Sequence, residues 1–157
     1  MEARILLVED AVSDAELIKE AFQDSGINHQ IDLVMDGEEA LDLLRRLDKK
    51  PHIVILDLNL PKKSGLEVLK EIREDADISL RVTPVIILTN SRSQKDVLNA
   101  YAGGCNAYIR KPIGFDSIVE AIQRTGLFWF DCALVPENVR IPRIPSNLMD
   151  TRPPKNK

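Results

Sequence analysis

The sequence HIVILD at residues 52–57 follows the chain-breaking Pro51, is mostly aliphatic and ends on a carboxylate. A run so short and so apolar predicts a strand that is buried on both faces, as in a parallel sheet. Four other runs have this character, at residues 5–8, 31–35, 85–88 and 107–110. Each of the five runs is therefore expected to be one strand of the same sheet.

Amphipathic segments separate these runs and predict helices. The pattern Ser-x-x-Glu occurs at residues 13–16 and again at residues 64–67. This spacing is that of a capping box, so a helix is expected to begin at each place. Gly26 is well placed to end the first helix in a left-handed conformation. The last helix is predicted to span residues 115–129 or to run slightly further.

Five strands that alternate with five helices predict an α/β fold, with helices on both faces of a parallel sheet. Right-handed crossovers leave few topologies, and we expect the doubly wound, flavodoxin-like (βα)5 arrangement with strand order 2-1-3-4-5. Residues 1–135 would form this domain. Residues 136–157 contain five prolines and predict an extended tail, which would pack on the domain or reach a partner chain.

The composition argues against several classes of protein. There is no run of about 18 apolar residues and no signal-peptide pattern, so we expect a cytoplasmic protein without a membrane partner. The net charge is −4, which combines −7 in residues 1–135 with +3 in residues 136–157. An acidic domain is a poor surface for nucleic acid. Two cysteines and two histidines are too few to suggest a zinc site.

Polar side chains stand where the predicted strands end. Glu9 and Asp10 follow the first strand, Asp57 follows the third, Thr89 ends the fourth and Lys111 follows the fifth. In such sheets these ends meet at one edge, where binding sites form. Three carboxylates in a small volume repel one another and therefore require a cation. Oxygen ligands favour a hard ion, Mg²⁺ first and Mn²⁺ second.

These groups suit phosphoryl transfer. The carboxylate of Asp57 can attack phosphorus and form an acyl phosphate. The ammonium of Lys111, together with the metal ion, would neutralise charge on the phosphoryl oxygens. The hydroxyl of Thr89 can donate a hydrogen bond to one of those oxygens. Asp57 is thus the predicted phospho-acceptor, with Lys111 and Thr89 beside it.

In this order and spacing, the five positions resemble the receiver domain of bacterial response regulators over roughly residues 3–130. More narrowly, the sequence LDLNLPKK at residues 56–63 and the pair Phe128-Trp129 resemble single-domain regulators that serve cyanobacterial phytochrome kinases. The resemblance implies a two-component response regulator that receives its phosphoryl group from a sensor histidine kinase, here a bacteriophytochrome. It would signal through altered protein–protein interaction and not as an enzyme.

The resemblance also implies how the metal ion would be held. Asp10 and Asp57 would be direct ligands, and Asn59 would contribute its backbone carbonyl. Glu9 stands where many members of the family have aspartate. Its extra methylene favours a contact with the metal through a water molecule.

Two further features follow from the same resemblance. Thr89 and Tyr108 would be switch residues, in which a hydroxyl moves toward the phosphoryl group and an aromatic ring follows it inward. The peptide bond between Lys111 and Pro112 is expected to be cis, which costs little before proline. We also predict a homodimer through the surface of the fourth helix, fifth strand and fifth helix, with help from the tail.

Other functions compete for the same residues. A phosphatase of the haloacid dehalogenase type also uses an aspartate nucleophile with Mg²⁺, but it needs a second carboxylic acid two residues later, where this chain has Asn59. A nucleotide-binding protein would carry GxGxxG or a P-loop, and neither occurs. The alternative that stays open is a pseudo-receiver, which has the same fold and serves as a docking module without being phosphorylated.

Overall fold

The computed structural model describes residues 2–136, so Met1 and residues 137–157 lie outside it. Five parallel strands form its central sheet, namely β1 (Ala3–Val8), β2 (His29–Val34), β3 (Ile53–Leu56), β4 (Val85–Thr89) and β5 (Ala107–Arg110). Their order in the sheet is β2-β1-β3-β4-β5. The predicted doubly wound, flavodoxin-like α/β fold is therefore confirmed.

Helices cover both faces of the sheet. Within residues 2–136 they are α1 (Val12–Asp24), α2 (Gly37–Arg46), α3 (Gly65–Glu74), α4 (Ile78–Arg81), α5 (Gln94–Ala102), α6 (Phe115–Leu127) and a π-helical turn (Phe128–Cys132). The prediction of five helices missed α4, a single turn that Asp77 caps by accepting the N–H of Ser79 at 2.9 Å. A helix this short has no apolar periodicity to detect. None of these helices has the length and hydropathy needed to cross a bilayer.

Alternate residues of each strand supply two separate cores. Ile5 and Leu7 of β1 belong to the core under α1 and α6, whereas Leu6 and Val8 belong to the core under α2, α3 and α5. Both faces of the central strands are thus buried. This is why those strands read as continuous apolar runs instead of alternating ones.

The two predicted capping boxes have different outcomes. The box at the start of α3 is present, because Ser64 and Glu67 each accept the backbone N–H of the other. The box predicted at residues 13–16 is wrong, since α1 already begins at Val12 and has no side-chain cap. The carboxylate of Glu9 instead accepts the N–H of Ala11 at 3.0 Å, just before the helix. The start of α1 is therefore tied to the end of β1.

Smaller differences concern the ends of elements. Gly26 follows α1 with a φ of 75°, the left-handed conformation predicted for it. Strand β2 begins two residues earlier than predicted, because His29 pairs with Ala3 at the start of β1. The last helix passes into the π-helical turn after Leu127. Apart from Pro136, the predicted tail lies outside the described residues.

Gly65, the first residue of α3, packs directly on the backbone that carries Asp57. A methyl group added to Gly65 would lie 2.2 Å from the carbonyl oxygen of Asp57 and 2.7 Å from Cα of Leu58. The N–H of Gly65 also donates to the carbonyl of Leu58 at 2.9 Å. Only glycine allows α3 to approach so closely, and this approach fixes the chain just after β3.

We expect Gly65→Ala to lower the free energy of unfolding by about 1–3 kcal/mol, because the added methyl group has no space without backbone movement. Urea denaturation measures the change. Gly103→Ala is the matched control, since the nearest atom outside its chain neighbours would be the carbonyl oxygen of Asn99, at 3.1 Å from the added methyl group. Equal stabilities of the two variants would show that α3 can move away from Asp57 at little cost.

Candidate functional site

Three carboxylates meet at the carboxyl edge of the sheet. Glu9 and Asp10 directly follow β1, and Asp57 directly follows the neighbouring β3. Each offers an oxygen atom that lies within 4.8 Å of the others. Glu9 and Asp57 are buried, whereas Asp10 is exposed. An all-oxygen donor set of this size suits a hard divalent cation that keeps some of its water.

The ammonium of Lys111 lies against these carboxylates. Its Nζ is 2.7 Å from Glu9 Oε2, 2.8 Å from Asp14 Oδ2 and 3.3 Å from Asp57 Oδ2. Lys111 itself is buried and follows β5, where its N–H donates to the carbonyl of Thr89 at 2.8 Å. The structure thus brings together residues that are far apart in the sequence.

Asp14 was not among the predicted site residues. It lies in the first turn of α1, where an acidic side chain is ordinarily explained by its interaction with the helix dipole. Its partner Lys111 is 97 positions away. The only hint in the sequence is that Asp14 comes one helical turn after Asp10, close behind a predicted strand end.

Burial and charge shift the pKa values of this cluster. Burial raises the pKa of Glu9 above its usual value, even though hydrogen bonds from Lys111 and Ala11 act in the opposite direction. For Lys111, burial alone would lower the pKa. Its hydrogen bonds to Asp14 and Glu9 and the charge of Asp57 outweigh burial, so the pKa of Lys111 is raised and the amine stays protonated.

The carboxylate of Asp57 is held from two sides. Its Oδ1 accepts the N–H of Asn59 at 3.2 Å, and its Oδ2 faces Lys111. The backbone N–H of Asp57 donates to the carbonyl of Val8, which joins the ends of β3 and β1. Asn59 itself is exposed. A buried carboxylate with this fixed orientation, next to an ammonium, can act as a nucleophile toward an incoming phosphoryl group.

Thr89 and Tyr108 are connected through Ser91. Thr89 is fully buried at the end of β4, and its hydroxyl accepts the N–H of Ser91 at 3.3 Å. The hydroxyl of Tyr108 donates to the carbonyl of Ser91 at 3.2 Å. Burial raises the pKa of Tyr108, so this hydroxyl stays protonated at neutral pH. The loop after β4 therefore touches both predicted switch residues.

The expected cis bond between Lys111 and Pro112 is wrong, because no peptide bond in residues 2–136 is cis. A trans bond is sufficient to aim the lysine. Its backbone is anchored to Thr89, and its side chain reaches the carboxylates from the end of β5.

Comparison with known proteins agrees with this geometry. Residues 5–123 match the response regulator receiver domain family. The chain belongs to this family. In this response regulator receiver, Asp57 directly follows β3 and Lys111 directly follows β5.

Its relatives include regulators linked to phytochromes. The response regulator Rcp1 of Synechocystis sp. is 35% identical over 137 residues, which are 84% of this chain and 92% of that protein. A structure of Rcp1 with bound Mn²⁺ has a TM-score of 0.78 at 34% identity and covers 85% of this chain and 99% of Rcp1. The phosphorylated cyanobacterial phytochrome response regulator RcpA is 35% identical, with a TM-score of 0.81 and coverage of 87% and 99%. The bacteriophytochrome response regulator RtBRR is 39% identical, with a TM-score of 0.66 and coverage of 88% and 86%.

We expect Mg²⁺ to stabilise the protein, because a divalent cation would relieve the repulsion among Glu9, Asp10 and Asp57. At ten times its dissociation constant, a ligand of the folded state adds about 1.4 kcal/mol to the free energy of unfolding. Thermal denaturation with MgCl₂, compared with KCl at equal ionic strength, measures this gain. Asp10→Asn should reduce the gain and Asp24→Asn should leave it unchanged. Equal gains in all three proteins would contradict a site at Asp10.

Proposed function

We propose that this receiver accepts a phosphoryl group on Asp57 and thereby works as a two-component response regulator. The observation that supports this most is the position of Asp57, which is buried beside the ammonium of Lys111 and lies in a cluster of carboxylate oxygens suited to a divalent cation. In the transfer from a phosphohistidine, the P–N bond breaks as the P–O bond to Asp57 forms. The released ring nitrogen takes up a proton from the solvent, so the products are an acyl phosphate and a neutral histidine.

Each neighbouring side chain has a role in this proposal. Asp10 and Asp57, the backbone carbonyl of Asn59, and Glu9 through a water molecule would hold Mg²⁺ or Mn²⁺. The bound ion would supply positive charge next to the phosphoryl oxygens. Lys111 would donate to one of those oxygens and stabilise the charge that develops during transfer.

Thr89 and Tyr108 would carry the signal from the site to the surface. The Thr89 hydroxyl accepts one hydrogen bond at present and keeps its own proton for donation to a phosphoryl oxygen. Movement of Thr89 would displace Ser91, and the carbonyl of Ser91 is the acceptor for Tyr108. A shift of Tyr108 would change the surface formed by α5 and β5. The output is altered protein binding instead of catalytic turnover. We propose that the protein acts in the cytoplasm.

The donor we propose is a sensor histidine kinase of the bacteriophytochrome class. The support comes from RcpA and RtBRR, which are both described as phytochrome response regulators. The open alternative is a pseudo-receiver that docks without phosphorylation. The complete cluster of Asp10, Asp57 and Lys111 favours phosphorylation, since a docking module needs no such arrangement of buried charges.

Asp57→Asn should abolish labelling by acetyl phosphate in the presence of Mg²⁺, because the amide is not a nucleophile of comparable strength. Intact-mass spectrometry detects the added phosphoryl group, and hydroxylamine removes it if it is an acyl phosphate. Asp24→Asn, an exposed carboxylate at the far end of α1, should label like the wild type. Labelling of Asp57→Asn at the wild-type level would refute the assignment.

The same assay can test the kinase class. A phosphorylated bacteriophytochrome kinase should transfer its phosphoryl group faster than a histidine kinase of another sensory class. Equal rates at equal kinase concentration would contradict the phytochrome part of the proposal. They would not affect the proposal that Asp57 is the acceptor.

We further propose a homodimer through α5, β5 and α6, with residues 136–157 contributing. Leu98 and Tyr101 of α5 are 70% and 53% exposed. Two large apolar side chains exposed on one helix are typical of a surface that binds another protein. Leu98→Arg should weaken dimerisation by about tenfold or more in sedimentation equilibrium, because it places a charge in an apolar contact. Met35→Arg, at an exposed apolar residue after β2, is the control. A wild-type mass that stays monomeric at every concentration would contradict this proposal.

A further inference from the structure

The hydrogen bonds of the Lys111 ammonium are already complete. A lysine ammonium has three N–H groups, and Glu9, Asp14 and Asp57 are three acceptors for them. The contact with Asp57 is the longest, at 3.3 Å, whereas those with Glu9 and Asp14 are 2.7 and 2.8 Å. A phosphoryl oxygen that is to bind Lys111 must therefore replace one of these acceptors.

The three acceptors differ in how easily they can be replaced. The side chain of Glu9 is 2% exposed, so its carboxylate would lose Lys111 without gaining water. The side chain of Asp57, which is 7% exposed, accepts the phosphoryl group in the proposed function and needs the ammonium beside it while charge develops. The side chain of Asp14 is 30% exposed. Its carboxylate can be rehydrated when it leaves, and an exposed ion pair is worth much less than a buried one. Of the two acceptors that the reaction leaves chemically unchanged, Glu9 and Asp14, Asp14 is therefore the one that Lys111 can release at the lower cost.

We infer that Asp14 is a positioning residue that holds Lys111 in the resting protein and is exchanged for the phosphoryl group when Asp57 is modified. The inference rests on the proposed function of Asp57. Asp14 then restrains phosphorylation in two ways, since it occupies one N–H of Lys111 and adds a negative charge where an anionic group must arrive. It acts on the same site but is not one of the carboxylates Glu9, Asp10 and Asp57 that are proposed to hold the metal ion.

Asp14 and Lys111 belong to different elements of the fold, so their hydrogen bond joins two parts of the structure. Asp14 belongs to α1, and Lys111 lies between β5 and α6. Beside the pair is a small cavity with an apolar lining from Leu17, Leu88 and Ile118. The hydrogen bond from Lys111 to Asp14 is thus a polar link across an otherwise apolar contact.

The test is the rate of labelling by acetyl phosphate with Mg²⁺ in Asp14→Asn, which keeps the shape of the side chain and removes its charge. We expect the rate to rise by about two- to fivefold, as follows from the strength of a partly exposed ion pair. Asp14→Glu restores the charge and should bring the rate back toward that of the wild type. Glu16→Gln, an exposed carboxylate of the same helix, should have no effect.

A second measurement separates positioning from general stability. The affinity for beryllofluoride, which imitates the phosphoryl group without a chemical step, should increase in Asp14→Asn by a similar factor. Urea denaturation establishes that the variant is folded. A rate and an affinity that are unchanged or lower in Asp14→Asn would overturn the inference while wild-type labelling upholds the proposed function. Absence of labelling in the wild type would instead refute the proposed function itself.

Discussion

The ammonium of Lys111, buried among carboxylates, is the interaction on which the site depends. A charge removed from water is tolerated only when opposite charges and hydrogen bonds compensate it. Glu9 and Asp57 provide that compensation, and they come from the ends of two neighbouring strands. In return, the lysine offsets part of the repulsion between them. Removal of Lys111 would leave Glu9 and Asp57 as two buried carboxylates without their shared cationic partner.

The single positive charge of Lys111 does not balance the negative charge of the site, so the site favours a further cation. Three carboxylates, those of Glu9, Asp14 and Asp57, contact the ammonium group, and a fourth, Asp10, lies within 4.8 Å of Glu9 and Asp57. An excess of negative charge favours a divalent cation, and it opposes an incoming phosphoryl group unless that cation is bound. The cluster of carboxylates is therefore better suited to binding a cation than to stabilising the fold. The large apolar cores on both faces of the sheet supply the stability that the cluster does not.

Most of the fold and much of the site could be predicted because they depend on local patterns and on one topological rule. Short apolar runs identify strands, and a parallel doubly wound sheet brings their carboxyl ends to one edge. Residues at those ends, such as Asp10, Asp57 and Lys111, are therefore expected to meet whatever the details of packing. The capping box of α3 is equally local, since Ser64 and Glu67 satisfy each other's backbone.

By itself the sequence determined the order of the strands, the burial of both sheet faces and the set of charged residues at one edge. Only the tertiary structure decided that α1 begins at Val12, that α4 exists as a separate turn, and that Asp14 joins Lys111. The start of α1 and the pairing of Asp14 depend on contacts made in the folded protein. The helix α4 is too short to show the apolar periodicity of a helix. The hydrogen bond from Lys111 to Asp14 spans 97 positions, and no local pattern records an interaction that arises when two helices and a strand end are packed together.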